Sequence, residues 1–418
     1  MQHAATNPCQ HKPAGSVRMP SSELKARHAR CRTLLSQRHP EAGGLLIVSR
    51  PAIYYLTGTL GSGLFWLPLE GEPVLLLRKG CGRARLESPL SSILPFVSYR
   101  DVPALLNEAG SPLSATIAVD KNSFSWAQAD MLAARLPGIS FVGGDDVLSR
   151  CMAVKSPWEQ ERMAECGRVH AVLLDDFLPS VMHPGMSEAE IALLFASESL
   201  RLGTHGLCHM HAHGEEMFFG YVSCGTSSLY PTAYNGPLGC QGIHPATPFL
   251  GAQDVVWQKN QLCSTDMGCQ KDGYHTDRTQ CYWSGPSSTI PKELACAHEA
   301  CVQILENALA KLVPGTLPSA LWQEAQETAV RLGLRDGFMG LGRDQVPFLG
   351  HGIGICLDEW PAIAKSFNEP LEAGMTIALE PKISVPGLGM TGVEHTYLVT
   401  DAGPKSLTGC QMDLICLG

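Results

Sequence analysis

The chain carries little charge and few aromatic rings: Asp, Glu, Lys and Arg make up 17% of its 418 residues, and Phe, Trp and Tyr 7%. It lacks any apolar run of the roughly 18 residues that a membrane-spanning helix needs. Its first residues, from Met1-Gln2-His3-Ala4-Ala5 to Pro20, lack the apolar core of about 7–15 residues that marks a secretory signal. No membrane partner and no export are expected. Positive charge is also short: Lys+Arg number 31 against Asp+Glu 40, for a net −9. A protein that tracks phosphates usually shows the opposite sign, so nucleic-acid partners are disfavoured. What the chain does have is cysteine, 16 in all. No two stand three apart, which excludes the close-paired spacing of zinc ribbons and redox motifs. A chain this long builds a core without disulfide staples. The cysteines are therefore expected to be small buried hydrophobes in a reducing, cytoplasmic setting. The remaining composition, 44% hydrophobic with Gly 42 and Pro 29, is globular. The length suits two or three domains at about 100–200 residues each.

Residues 1–20 read as a flexible tail. Residues 21–148 alternate helical and strand patterns, which predicts an α/β domain. Leu24 to Ser36 and Ala127 to Leu136 have helical spacing. Gly44–Val48, Pro73–Leu77 and Thr116–Asp120 read as strands, and Ile53–Gly58 follows a turn at Pro51. No chemistry is expected from this half. A boundary falls near residues 146–156, and the second domain spans 149–418. It opens on a helix from Pro157 whose apolar stripe is Trp158, Met163, Cys166, Val169, Leu173 and Phe177. That helix stops at His183-Pro184-Gly185. Ser187 with Glu190 forms a capping box for the next helix, Ile191 to Leu202. The arrangement recurs 130 residues later: a helix from Pro291 to Leu312, a stop at Pro314-Gly315, and a helix from Pro318 to Leu332. This repetition predicts a duplicated domain with its site between the halves.

Four clusters carry chemistry. In the first, Val255 to Trp283 reads as two strands around the Asp272-Gly273 turn, with Asp266 closing the first strand and Asp277 on the second. The second cluster is Gly350-His351-Gly352-Ile353-Gly354, where glycines let the backbone pass close to a ligand. The third ends an apolar strand with Glu380-Pro381, and the fourth opens one with Glu394-His395-Thr396. A carboxylate at the end of an apolar strand is expensive unless partnered. Taken singly, the aspartates read rather as solvated turn residues and His351 as a satisfied core or loop histidine. Together they supply two Asp, one His and two Glu. Oxygen and imidazole donors without thiolate suit manganese, iron, cobalt or zinc. Four carboxylates are too negative for one divalent ion, and two ions about 3.5–4 Å apart would balance them.

These residues resemble the pita-bread metallohydrolases, the family of methionine aminopeptidase, aminopeptidase P, prolidase and the metal-free creatinase. The likeness rests on the spacing of Asp266 and Asp277, the Gly-His-Gly-Ile-Gly segment, Glu380-Pro381, and Glu394 before the last strand. Tyr55-Leu56-Thr57-Gly58 and Lys155-Ser156-Pro157-Trp158-Glu159 extend it to about residues 22–410. The resemblance implies a creatinase-like α/β N-terminal domain followed by an α+β pita-bread catalytic domain with pseudo-twofold duplication. It implies that Asp266 binds one metal, that Asp277 and Glu394 bridge two, and that His351 and Glu380 complete the other. A bridging hydroxide would attack a bond near the N-terminus of a small peptide or a small amide, with Glu380 as proton shuttle. The two-domain members favour a bond before proline, and homodimers are usual.

Several positions depart from that pattern. Seven residues after His351, where the peptidases carry a second histidine, stands Asp358. An aspartate there resembles the lyase branch of the fold, the dimethylsulfoniopropionate lyases, where it abstracts a proton; it could equally cap a turn. The arginine expected two positions before Glu394 is Gly392, the one expected after Thr279 is Gln280, and His395 is closer to the methionine aminopeptidase version. His209, His211 and His213 alternate, so on a strand they would face one side, as a substrate wall, a further metal patch or a solvated face. His244, 22 positions before Asp266, is the nearest candidate for the family's substrate-contacting histidine. Cys263, Cys269, Cys281 and Cys356 flank the proposed ligands without taking a ligand position. Three readings follow: a dinuclear peptidase of the aminopeptidase P or prolidase type, a small-molecule lyase or C–N hydrolase with Asp358 as base, and a non-catalytic binding protein.

Overall fold

The computed structural model describes residues 17–212 and 214–417. His213 and most of the expected tail lie outside the described residues. The chain forms two compact units that divide between Met152 and Ala153.

The first unit runs α1 (Ser21–Arg38), β1 (Gly44–Ile47), α2 (Arg50–Thr57), β2 (Gly63–Pro68), β3 (Val74–Leu77), α3 (Cys81–Glu87), β4 (Ser92–Pro95), α4 (Val102–Glu108), β5 (Thr116–Val119), α5 (Trp126–Arg135), β6 (Ser140–Gly143) and α6 (Asp145–Ala153). Its sheet has the order β4-β3-β2-β1-β5-β6. The parallel pairs are β3 with β4, β1 with β5, and β5 with β6. Strands covered on both faces read as unbroken apolar runs, and Gly44–Ile47 and Val74–Leu77 are buried at every position. The turn at Pro51 proves to be the first turn of α2. Ser49 caps it through the Ala52 N–H, and Gly58 closes it at φ 75°, the left-handed cap that glycine permits. The Asp120 carboxylate, buried, accepts from the backbone N–H groups of Val48 and Ser49. That satisfies the end of β1.

The second unit opens on α7 (Pro157–Ala171), which widens into a π-helical turn at Val172–Phe177 and continues as α8 (Leu178–Val181). Pro179 explains the widening, since its ring would meet the carbonyl four residues back in a regular helix. α9 (Glu188–Arg201) follows, with the expected Ser187–Glu190 capping box. Then come β7 (Leu207–His209), β8 (Glu216–Phe218), β9 (Gly220–Cys224), β10 (Leu262–Lys271) and β11 (Tyr274–Trp283). The second half repeats the order: α10 (Lys292–Leu309), α11 (Pro318–Arg331), β12 (Phe348–Gly352), β13 (Glu359–Ala364), β14 (Thr376–Leu379), β15 (Lys382–Val385), β16 (Gly389–Gly392), β17 (His395–Leu398), β18 (Lys405–Ser406) and β19 (Ile415–Cys416). The first half supplies β11, β10 and β9 of the sheet β19-β11-β10-β9, to whose edge the late strand β19 adds, and the second half supplies β13-β12-β14-β17-β18. Two helices followed by an antiparallel sheet, twice over, is the expected α+β duplication. Each sheet packs its own helices: Leu174, Ile191 and Phe195 cover the first, and Ile304, Leu321 and Trp322 the second.

β10 and β11 form a two-residue hairpin, with Lys271 opposite Tyr274. Asp272 and Gly273 take φ 50° and 84°, as a turn that matches the twist of antiparallel strands requires. Asp266 does not close its strand, as expected from sequence. It sits mid-strand, because β10 continues through Met267-Gly268-Cys269-Gln270 to Lys271.

Candidate active site

The hairpin register sets Asp266 opposite Thr279 and Asp277 opposite Gly268. The two aspartates are thus diagonal neighbours on one face of the ladder. The second half delivers the other carboxylates. Leu379 of β14 pairs with His395 of β17, so Glu380 and Glu394 leave adjacent strand ends side by side. His351 on β12 pairs with Ala378, which places it on the same edge. Thr396 ties the two halves together: its Oγ1 accepts from the Asp277 N–H at 2.9 Å and donates to the Asp277 carbonyl at 3.0 Å.

Two donor groups result. Donor atoms of Asp277, His351 and Glu394 lie within 4.8 Å of one another, and so do those of Asp266, Glu380 and Glu394. Asp277, Glu380 and Glu394 are buried, whereas Asp266 and His351 are half-buried. His351 Nδ1 donates to the Gly352 carbonyl at 3.0 Å, which leaves the Nε2 lone pair free for a ligand. Nε2 stands 3.5 Å from Glu380 Oε1. Burial, reinforced by Glu394, Asp266 and Glu380, pushes the Asp277 carboxyl well above its usual range. Burial likewise pushes Glu394 up to about 8 against the pull of Lys382. Such crowding of acidic groups calls for positive charge between them.

Part of that charge is built in. Lys382 Nζ lies 3.1 Å from Asp266 Oδ2, 2.7 Å from Glu380 Oε2 and 2.9 Å from Glu394 Oε2. The residue is fully buried. Burial opposes its charge, but the three carboxylates outweigh burial and hold the ammonium protonated. It donates to Glu380 and Glu394 and forms an ion pair with Asp266. Sequence reasoning missed this residue. The signal was a lysine two positions after Glu380, opening a strand directly opposite Gly392.

The donor set therefore fits a divalent ion at Asp277, His351 and Glu394. Glu394 belongs to this group, and its Oε1 is buried with no hydrogen-bond partner among the described residues, an acceptor that burial would otherwise penalise. It fits poorly at Asp266, Glu380 and Glu394, where the ammonium stands.

The other candidates lie elsewhere. Asp358 Oδ1 accepts from the His211 backbone N–H at 2.6 Å and belongs to neither donor group. His209 ends β7, and His211 lies past it in a bend, so the alternation does not continue along one strand. His209 Nδ1 contacts Glu216 Oε1 at 3.2 Å, and its carbonyl accepts from the Leu357 N–H at 2.8 Å. The 209–211 segment thus borders the 354–358 segment that follows His351. His244 is exposed, with Nδ1 accepting from the Ala246 N–H. Gln280 donates to the carbonyls of Cys281 and Asp413. His395 points both ring nitrogens at Thr408 and Gln411. Cys263, Cys269, Cys281 and Cys356 are buried and unbridged, and none joins a donor group.

Carboxylates and an imidazole, gathered where the halves of a duplicated α+β unit meet, define a metallohydrolase of the pita-bread type. The sequence profile of Metallopeptidase family M24 matches residues 161–401, and that of the Creatinase/Prolidase N-terminal domain matches residues 27–154. The chain belongs to metallopeptidase family M24 and is an enzyme of that metal-dependent peptidase class. It is 25% identical over 388 residues to the protein YkvY of Bacillus subtilis (strain 168), covering 90% of this chain and 97% of that one. It is 29% identical over 174 residues to the Xaa-Pro dipeptidase of Pyrococcus furiosus, covering 42% of this chain and 47% of that one. Its fold resembles the crystal structure of dipeptidase PepE from Mycobacterium ulcerans, with a TM-score of 0.76, 24% identity, and coverage of 96% of this chain and all of that one.

Proposed function

We propose that the chain hydrolyses the peptide bond of small peptides, as a metal-dependent peptidase of the Xaa-Pro dipeptidase kind. The convergence of Asp277, His351 and Glu394 within 4.8 Å carries this reading, and the printed activities of the relatives support the substrate class. A bound manganese, cobalt, iron or zinc ion would supply Lewis acidity and lower the pKa of water. Asp277, His351 and Glu394 would hold it. Glu380, whose Oε2 is fixed by Lys382 and whose Oε1 faces His351, takes a proton from the attacking water and returns it to the leaving amine. His209, beside the segment after His351, forms part of the substrate wall, with His211 and His244 farther out. The bond from His211 supports a holding role for Asp358 over that of a lyase base. The net charge of −9 supports a substrate other than nucleic acid. The buried free thiols support a reducing, cytoplasmic setting, and a homodimer is the assembly the family resemblance suggests. Among the described residues no helix is long and apolar enough to cross a membrane.

Metal-reconstituted protein should cleave Xaa-Pro or other dipeptides and lose that activity to a chelator. Glu380→Gln should lower kcat roughly 10²–10⁴-fold. Absence of cleavage across a dipeptide panel, with the ion bound, would overturn the peptidase reading.

A further inference from the structure

We infer that Lys382 takes the place of a metal ion, so that the site is built for a single divalent cation, held by Asp277, His351 and Glu394, beside a permanent ammonium held by Asp266, Glu380 and Glu394. The inference rests on reading this cluster as a metal centre.

Three observations carry it. The first is coordination. The ammonium hydrogen-bonds Glu380 Oε2 at 2.7 Å and Glu394 Oε2 at 2.9 Å and pairs with Asp266 Oδ2 at 3.1 Å, and an ion in the same pocket would need those same oxygens. The second is how the lysine reaches the pocket. Lys382 and Gly392 are directly opposed across β15 and β16. A Cβ at Gly392 would lie 2.5 Å from Lys382 Cγ and 2.6 Å from the Pro381 carbonyl. The lysine stem therefore crosses the space that any side chain at 392 would occupy. With no side chain at 392, the stem of Lys382 has room to carry its ammonium into the carboxylates. The third is the asymmetry of Glu394. Its Oε2 accepts from Thr279 Oγ1 at 2.8 Å and from Lys382, while Oε1 is buried without a partner. One side of this carboxylate is satisfied by the chain itself and the other is not.

Displacing the ammonium to admit a second ion would strand a fully buried lysine away from the three carboxylates that pair with it. Breaking a buried ion pair in this way is strongly unfavourable. Four carboxylates faced by one ammonium and one divalent ion are nearly neutralised, which removes the electrostatic need for a second metal.

The test is metal stoichiometry of the full chain, measured by equilibrium dialysis and by manganese spin resonance up to saturating manganese. The wild type should bind one manganese per chain and show the spectrum of an isolated ion. Lys382→Gly should raise the stoichiometry about twofold and bring in the exchange-coupled spectrum of ions about 3.5–4 Å apart. Lys382→Ala serves if the glycine variant does not fold. Coupled ions in the wild type, or a folded variant that still binds one, would overturn the role of Lys382 and leave the metallopeptidase reading standing. No manganese bound by the wild type would overturn both.

Discussion

His395 sits buried with Nε2 against the Gln411 carbonyl at 2.9 Å and Nδ1 against the Thr408 hydroxyl at 3.0 Å. Burial, helped by the Arg278 charge, lowers its pKa to about 3. Burial lowers His28 and His275 to about 4. An unfolded histidine takes up its proton near pH 6.5, so between that pH and the folded values the unfolded chain binds more protons. These residues stabilise the fold fully above about pH 6.5 and lose that contribution as pH falls toward about 3–4. The thermal midpoint should fall steadily over that window, and a His395→Gln variant should show a shallower fall; identical slopes would remove His395 from the account. Glu380, Glu394 and His351 stood out at this scale because a charge bounds an apolar strand or a glycine run surrounds an imidazole; Asp266 and Asp277 stood out only through their spacing about the Asp272-Gly273 turn, since both lie within their strands. Lys382 did not. A lysine after Glu-Pro at a strand start reads as a solvated cation, and its burial follows only from a cross-strand glycine ten residues on.

The helices were legible through their ends: Pro157 in a first turn, Ser187 with Glu190 three residues later, and the Pro-Gly stops; the capping box of Ser156 with Glu159 was seen only in the structure. β10 was harder. Leu-Cys-Ser-Thr-Asp-Met-Gly-Cys-Gln-Lys shows no alternation, since the strand is buried between β9 and β11 and is covered on both faces over most of its length. That is why Asp266 looked like a strand end. The histidine tract failed for the opposite reason: alternation suggested a strand, but pairing with β8 ends at His209. The hairpin turn gives a test at this scale. Gly273 at φ 84° tolerates a β-branched residue badly, so Gly273→Val should destabilise the protein by about 1–2 kcal/mol. Because the hairpin sets the aspartates' register, manganese affinity should fall with it; unchanged affinity would show that the turn does not govern the site.

Across the whole molecule, every donor to the proposed ion comes from the second unit. The fold class of both units was legible in the order of strand and helix patterns. The meeting of hairpin and second sheet was not, because it depends on Thr396 bridging residues more than a hundred positions apart. Hydrogen exchange should therefore slow on adding manganese in β10, β11, β12, β14 and β17, while the sheet of the first unit is unaffected. Protection spread evenly over both units would contradict this localisation.

The lysine in the carboxylate pocket has a consequence for how the protein meets scarcity. A cation fixed to the backbone has a local concentration that dilution and chelators cannot lower. A centre made only of ions loses all its compensating charge when metal is withdrawn, and its carboxylates then repel or take up protons. Here part of the compensation stays, and Asp266, Glu380 and Glu394 remain gathered before any ion arrives. On the single-ion reading, an incoming ion then meets carboxylates already gathered, and chelation should lower the thermal midpoint of the wild type less than that of Lys382→Ala.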